Sequence, residues 1–352
     1  MRTSAARVID RVVALCARPL DERELRTRVL AELRPLLDFD AYAWLLTDPL
    51  TWVGTAPLAE VPELRDLQRL IALKYRTRVN RWTDLPPGRA HLLSTATGGR
   101  PDRSLLWREL LSTYGVVDVA SMSFCDRYGS WGFLDLWRCG GTTPFTTADV
   151  DLLNGLGICV TAALRRAQAR LFAGDVQAPT APGPRVLVLD DHLRTLQQTA
   201  EAASDLRRLL PTPAGEVLVP AAALNVAAQL LAVEEGIDGH DPSARVHLAG
   251  SQWVAVRASR LADGSGDATG SIAVTIESLG PHDRADLFAR ASALAPRERQ
   301  LLHQLLRGSD NAAIASTLAI SVFTVQDHLK SIFDKTGCRS RGELVARAAG
   351  GS

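Results

Sequence analysis

The chain has 352 residues, 46% of them apolar, and a formal net charge of +1. That length fits two or three domains, and the near-neutral charge says nothing about partners, so only a local charge bias can be argued from. The five cysteines, Cys16, Cys125, Cys139, Cys159 and Cys338, form no CxxC pair. Reduced thiols among apolar neighbours are therefore expected, in place of a disulfide framework or a zinc site. No uninterrupted apolar run opens the chain as in a secretory signal. No stretch reaches the roughly 20 apolar residues that cross a bilayer. The expectation is a cytoplasmic protein with no membrane partner.

Residues 1–172 begin with a helix carrying Val8, Ile9, Val12, Val13 and Leu15 at helical spacing. A second helix over 21–37 turns Leu25, Val29, Leu33 and Leu36 inward, with Pro35 near its end. Residues 39–46 read as a strand and 51–55 as its hairpin partner across Asp48-Pro49. Helices are expected at 62–76 and 103–114, then strands at 116–124 and 131–137 joined through residues 126–130. Thr147 is the expected cap of a long helix over 148–172. An antiparallel sheet with helices follows from this order.

Six of the seven Trp lie here: Trp44, Trp52, Trp82, Trp107, Trp131 and Trp137. Strand alternation puts Asp135 on the same face as Phe133 and Trp137. An aspartate beside aromatics can hold a cation or amine, so Trp44, Trp131, Asp135 and Trp137 are the candidate ligand-binding residues. The alternative is that the tryptophans are core and Asp135's face meets solvent. The order of elements resembles the GAF family of ligand-sensing domains. That resemblance implies a small-molecule pocket between the sheet and the middle helices. In the closing helix Leu153, Leu156, Val160, Ala163 and Ala167 repeat at three and four. This seam can pair two chains, or it can lie on the helix's own sheet.

Residues 173–184 read as a linker rich in Ala and Pro. Then Val186-Leu187-Val188-Leu189-Asp190-Asp191 looks like the start of a response-regulator receiver. The reading fails on composition, because the only lysines of the chain are Lys74, Lys330 and Lys335, so this module lacks the lysine a receiver needs. What remains over 185–280 is a strand, a helix over 199–210, an Ala-rich helix over 221–235 and strands at 244–248, 252–260 and 271–278. This small mixed module is similar to the PAS family. A short connecting helix with Leu287, Phe288 and Ala289 occupies 281–293.

Residues 294–352 read as four helices. Pro296 opens the first, whose apolar stripe is Leu301, Leu302, Leu305 and Leu306, and Gly308 ends it. Ile314, Ala315 and Leu318 face inward on the second. Ala319-Ile320-Ser321 makes a tight turn. On the third helix Val322, Val325, Leu329, Ile332 and Phe333 share one face, and Phe323, Asp327, Lys330 and Asp334 point away. Ser340 and Glu343 have the spacing of a capping box. Two helices joined by a three-residue turn form a helix-turn-helix. From residue 290 onward nine basic side chains face five acidic ones, an excess of four that suits a phosphate backbone.

This segment resembles the LuxR-type helix-turn-helix of bacterial transcription regulators. The matching residues include Pro296-Arg297-Glu298-Arg299, Ile314-Ala315, Ile320-Ser321, Thr324-Val325, His328-Leu329, Lys335, Gly337, Ser340-Arg341 and Glu343-Leu344. The resemblance implies base contacts from Gln326, Asp327 and Lys330, and phosphate contacts from Thr324, Lys335, Arg339, Ser340 and Arg341. It also implies double-stranded DNA as partner, a homodimer, and commerce with a small-molecule effector and RNA polymerase. Ala295 stands where the family has a capping Ser or Thr, at a cost of about 0.5–2 kcal/mol.

The expected fold class is thus α+β sensor domains followed by an all-α four-helix helix-turn-helix domain. The expected function is a ligand- or partner-controlled transcription regulator. No cofactor is expected and no catalytic or metal-binding set is present in the sequence. Two rivals stay open: an interaction protein that does not touch DNA, and a sensor domain with enzyme activity.

Overall fold

The computed structural model describes residues 2–141, 143–173, 183–209, 221–248 and 252–350. Most of the expected linker, residues 174–182, lies outside them.

Two helices lead the chain, α1 (Arg2–Cys16) and α2 (Glu22–Leu37). Val8 and Val12 of α1 are buried, whereas Val13 is 46% exposed, so the apolar face is narrower than its spacing suggested. The first sheet combines β1 (Ala41–Thr47), β2 (Gly54–Glu60), β3 (Ala90–Leu92), β4 (Val116–Asp126) and β5 (Gly129–Cys139) in the order β2-β1-β5-β4-β3. β2 begins three residues later than expected. The turn before it holds Trp52 with φ of 64°, and pairing resumes only at Thr47 with Gly54. The β4–β5 hairpin is also tighter than expected, since Asp126 pairs with Gly129.

Between β2 and β4 the chain forms α3 (Leu67–Arg76), α4 (Leu93–Ala96) and α5 (Leu105–Glu109), linked by short 3-10 turns. The helix expected over 103–114 is therefore broken. Ser104 caps α5, and Gly115, in the left-handed region, ends the last turn. These pieces cover one face of the sheet, where Leu70, Leu73, Leu106 and Leu110 pack with Ala41, Val119 and Trp137.

The other face carries α6 (Thr147–Arg170). Its cap is Thr146, one residue before the expected Thr147. The Thr146 N–H donates to Asp149 Oδ2 at 2.7 Å and the Asp149 N–H donates to Thr146 Oγ1 at 3.3 Å, a reciprocal box. Leu153, Leu156, Val160, Ala163 and Ala167 are all buried within the chain, so the seam serves its own core and is closed to a second chain. A Cβ on Gly157 would stand 2.8 Å from the Gly88 carbonyl, so the helix approaches closely only because that residue is glycine. Residues Thr147–Ala173 have the length and apolar composition to cross a membrane, which corrects the expectation that no stretch does.

The second sheet contains β6 (Val186–Asp190), β7 (Thr195–Gln198), β8 (Ser243–Leu248), β9 (Gln252–Ala262) and β10 (Ala268–Ser278) in the order β7-β6-β10-β9-β8. This repeats the order of the first sheet strand for strand. β6 runs antiparallel to both β7 and β10, so the receiver reading fails on topology as well. The acidic pair after β6 is engaged by arginine. Asp190 accepts from Arg194 Nε at 2.7 Å and Asp191 from Arg260 Nη1 at 2.5 Å.

α7 (Ala200–Leu209) and α8 (Ala221–Glu234) connect β7 to β8. α8 is buried along almost its whole length and packs on α3 and β2, so the two sheets share one compact unit. Asp48, fully buried, anchors that union. Arg245 grips it through Nε at 2.7 Å and Nη2 at 2.8 Å. Burial works to raise the Asp48 carboxyl, and Arg245 outweighs it and holds the group below its usual value.

A second compact unit comprises the described residues within 165–180, 247–253 and 278–352. Five helices dominate it: α9 (Pro281–Ala291), α10 (Pro296–Leu306), α11 (Asn311–Leu318), α12 (Val322–Thr336) and α13 (Arg341–Ala349). α9 packs on both α10 and α13 and buries Ala285, Leu287, Phe288, Ala289 and Ala291, so it is a structural fifth helix as well as a connection. Phe172 stacks on Trp253 at 4.8 Å and meets Phe288 edge-on at 5.4 Å, joining three distant stretches into one core.

Candidate nucleic-acid interface

The helices of this unit are set by local chemistry. Asp310 caps α11 by accepting the Ala313 N–H, and Ser321 caps α12 by accepting the Thr324 N–H at 3.0 Å. Between them Ala319 takes the left-handed conformation at φ 52°, and the chain bends by 104°. That angle lies in the range of roughly 90–120° expected of a helix-turn-helix. Leu301, Leu302, Ile314, Val325 and Ile332 are fully buried and make the common core.

Ala295 has no side-chain acceptor, so only half of a capping box forms at α10. Glu298 Oε2 accepts the Ala295 N–H at 2.6 Å. Glu298 does more than cap. Buried at 3% exposure, it accepts from Ser331 Oγ at 2.6 Å and from Lys335 Nζ at 2.6 and 2.7 Å. Burial works to raise its carboxyl, and Lys335, Ser331 and the Ala295 N–H together hold it below the usual value. One carboxylate therefore ties the first helix to the third. The sequence signal was its N3 position, which announced the cap but not the two partners on α12.

The outward face of α12 is open. Gln326, Asp327 and Lys330 are exposed, and Phe323 is 71% exposed. Val322, expected inward, is 44% exposed because the first residue of the helix stands ahead of the turn that meets the core. The remaining expected contact residues are engaged within the chain to different degrees. The Thr324 hydroxyl lies 2.9 Å from Ser321 Oγ. Lys335 is held by Glu298, and Arg341 Nη2 donates to the Ser309 carbonyl. Ser340 caps α13 by accepting the Glu343 N–H at 3.1 Å, while Glu343 reaches one residue further back to the Arg339 N–H at 2.7 Å. The capping box is thus displaced by one residue. The Arg339 side chain is exposed.

Residues 292–348 match the family model for bacterial regulatory proteins of the luxR family. Curated relatives agree over the same end of the chain. The monoamine regulon transcriptional regulator of Klebsiella aerogenes is 43% identical over 54 residues, 15% of this chain and 24% of the relative. The probable transcriptional regulatory protein SgaR of Hyphomicrobium methylovorum is 44% identical over 54 residues, 15% of this chain and 26% of the relative. The HTH-type transcriptional regulator MalT of Serratia proteamaculans is 32% identical over 73 residues, 21% of this chain and 8% of the relative. The chain thus spans about a quarter or less of the relatives it matches. Among solved structures, Escherichia coli SdiA aligns over 94% of this chain and 91% of its own, at 13% identity and a TM-score of 0.33. At that level the likeness carries no argument.

The candidate ligand residues of the first sheet do not all come together: Asp135 and Trp137 share a face as expected, and Trp44 does not. In the β1–β5 register Trp44 pairs with Leu134 and Ala43 with Asp135, so Trp44 and Asp135 lie on opposite faces. Trp44 stacks on Phe124 at 5.3 Å. Trp131 sits in the bulge of β5, its indole N–H donating to Asp126 at 3.0 Å, and Trp137 is core.

Asp135 is buried, so its face does not meet solvent, and its charge is already met. Lys74 Nζ lies 2.8 Å from its Oδ2, Ser121 Oγ donates at 2.6 Å and the Trp82 indole N–H at 3.0 Å. The expected cation or amine is a lysine of the chain itself. The sequence did mark Lys74 as unusual, one of only three lysines, but nothing local linked it to a residue sixty positions away. Among the described residues no cluster of three or more His, Cys, Asp or Glu can hold a metal ion.

Proposed function

We propose that this chain is a DNA-binding transcription regulator that reads duplex DNA through α12. The observation that carries the reading is the exposed row Gln326, Asp327 and Lys330 on the second helix of a helix-turn-helix whose Val325 and Ile332 are fully buried on the opposite side. Gln326 suits adenine N6/N7, Lys330 suits guanine O6/N7, and Asp327 accepts from a donor such as cytosine N4. Thr324, Lys335, Arg339, Ser340 and Arg341 are proposed to meet phosphates. Lys335 then shares its charge between Glu298 and DNA.

The two sheets are proposed as sensory modules of the GAF and PAS kind, acting in the cytoplasm without catalysis. Their identical strand order supports treating both as one architecture. A small effector or protein partner would act by changing the spacing of two reading helices in a homodimer, and so the engagement of RNA polymerase. Since α6 uses its apolar face internally, another surface must pair the chains. Binding-site selection with the purified full chain tests the reading. An enriched duplex sequence is expected. Recovery of no enriched sequence would favour a regulator that acts by protein contact alone.

A further inference from the structure

α12 presents one side chain that the proposed contacts leave unused. Phe323, its second residue, is 71% exposed, and Val322 before it is 44% exposed. Phe323 stands three, four and seven residues ahead of Gln326, Asp327 and Lys330, so the four share one face of the helix. A benzyl group there contributes little to the core, which Val325 and Ile332 occupy on the opposite side. It has nothing to offer a phosphate either, since it carries neither charge nor hydrogen-bond donor. Its place is nevertheless where sequence is read. In a helix-turn-helix the N-terminal residues of the second helix meet base edges in the major groove. The polar neighbours at that end are engaged with each other: the Ser321 and Thr324 hydroxyls lie 2.9 Å apart, and Ser321 also accepts the Thr324 N–H at 3.0 Å.

Of the groups that base pairs present in the major groove, only the thymine C5 methyl is apolar. We infer that Phe323 is a specificity-determining residue that reads a thymine by packing on that methyl, within about three base pairs of the pair that Lys330 reads. The spacing follows from the helix, in which seven residues rise about 10 Å, against about 3.4 Å between stacked base pairs. Ring and methyl each lose apolar surface to water when apart and bury it together, a gain that a cytosine or purine edge at the same place does not offer. The inference rests on the proposed reading of DNA by α12 and adds to it a contact made without any hydrogen bond.

Binding-site selection with the full chain supplies the duplex for the test. Each thymine in it is then replaced in turn by deoxyuridine, which keeps the base pairing and removes only the methyl. Wild-type affinity, measured by fluorescence anisotropy, should fall about fourfold at one such thymine, the effect expected of one buried methyl. Phe323→Ala should bind the thymine and deoxyuridine duplexes equally at that position. Phe323→Leu, still apolar, should keep part of the difference. The side chain is exposed, so neither variant should lower the melting temperature, and the four affinities of the Phe323→Ala cycle assign the loss to the ring and methyl together. If no thymine responds to deoxyuridine, or if Phe323→Ala responds as the wild type does, the inference fails while reading by Gln326, Asp327 and Lys330 stands. A Phe323→Ala chain that responds as the wild type does but sediments as a smaller species would assign the ring to a protein contact instead. Selection of no enriched sequence removes the reading of DNA itself, and this inference with it.

Discussion

Single side chains decide two properties that can be measured directly. Lys330 is exposed on α12, one turn from Gln326, and among the described residues it has no partner that its removal would orphan. Lys330→Ala should cost about 1–3 kcal/mol at a selected site and relax preference at one base pair. Asp327→Ala should raise affinity for unrelated duplex, because it removes a charge that repels phosphate. Fluorescence anisotropy on matched and unrelated duplexes separates the two; a uniform loss from Lys330→Ala with unchanged preference would remove α12 as the reading helix. His247 speaks to pH. Burial lowers its pKa from 6.5 to about 4, with Arg284 adding to the shift. The unfolded chain takes up that proton near its ordinary value and the folded chain does not. The contribution of His247 to stability is therefore complete above about pH 6.5 and is lost as pH falls through about 4. Thermal melting of His247→Gln should show a smaller decline between those limits than the wild-type chain. An identical decline would show that other groups govern acid sensitivity.

The helices of the C-terminal end were legible because their signals are local. Pro296, Ser321, Gly337 and Ser340 mark ends within a few residues of the hydrogen bonds they make. Ala319 was read as part of a tight turn, but its strain was not, since a left-handed alanine looks ordinary in sequence. That conformation costs a side-chain-bearing residue about 1–2 kcal/mol, against about 0.5–1 kcal/mol of extra unfolded-state entropy for glycine. Ala319→Gly should therefore stabilise the C-terminal helical unit by up to about 1 kcal/mol in urea unfolding. A loss of stability would mean that the Ala319 methyl is packed and not strained. Glu298→Gln tests the opposite kind of element, a carboxylate shared by two helices. It weakens the hold on Lys335 and leaves a half-satisfied site, for an expected loss of about 1–3 kcal/mol. The same variant frees a positive charge, so weaker folding should accompany tighter binding to unrelated DNA.

The sheets and the long-range contacts within each unit show where sequence reading stopped. β4 and β5 announce themselves as long apolar strands, whereas β7 has four exposed residues and β3 only three residues in all, too little pattern for a period-two signal. The Lys74–Asp135 pair, the grip of Arg245 on Asp48 and the stacking of Phe172 on Trp253 each join residues far apart in the chain. No local propensity encodes them.

The Phe172 cluster has the largest consequence, because it makes the C-terminal helices depend on residues more than a hundred positions upstream. Phe172 is 1% exposed, contacts Trp253 and Phe288, and carries the Arg284 guanidinium 4.9 Å above its ring. Phe172→Ala should destabilise that unit by about 3–5 kcal/mol, the range for emptying a buried aromatic site. A fragment comprising only residues 290–352 should fare worse. It lacks Phe172, Trp253 and α9, and so exposes the surfaces of α10 and α13 that α9 covers. A fragment comprising residues 278–352 keeps α9 and should be the more stable of the two. Circular dichroism melting of the three proteins orders them: wild-type chain, then the longer fragment, then the shorter. If the 290–352 fragment melted as high as the C-terminal unit of the full chain, the aromatic cluster and α9 would be packing ornaments, and the four helices would be a self-sufficient domain.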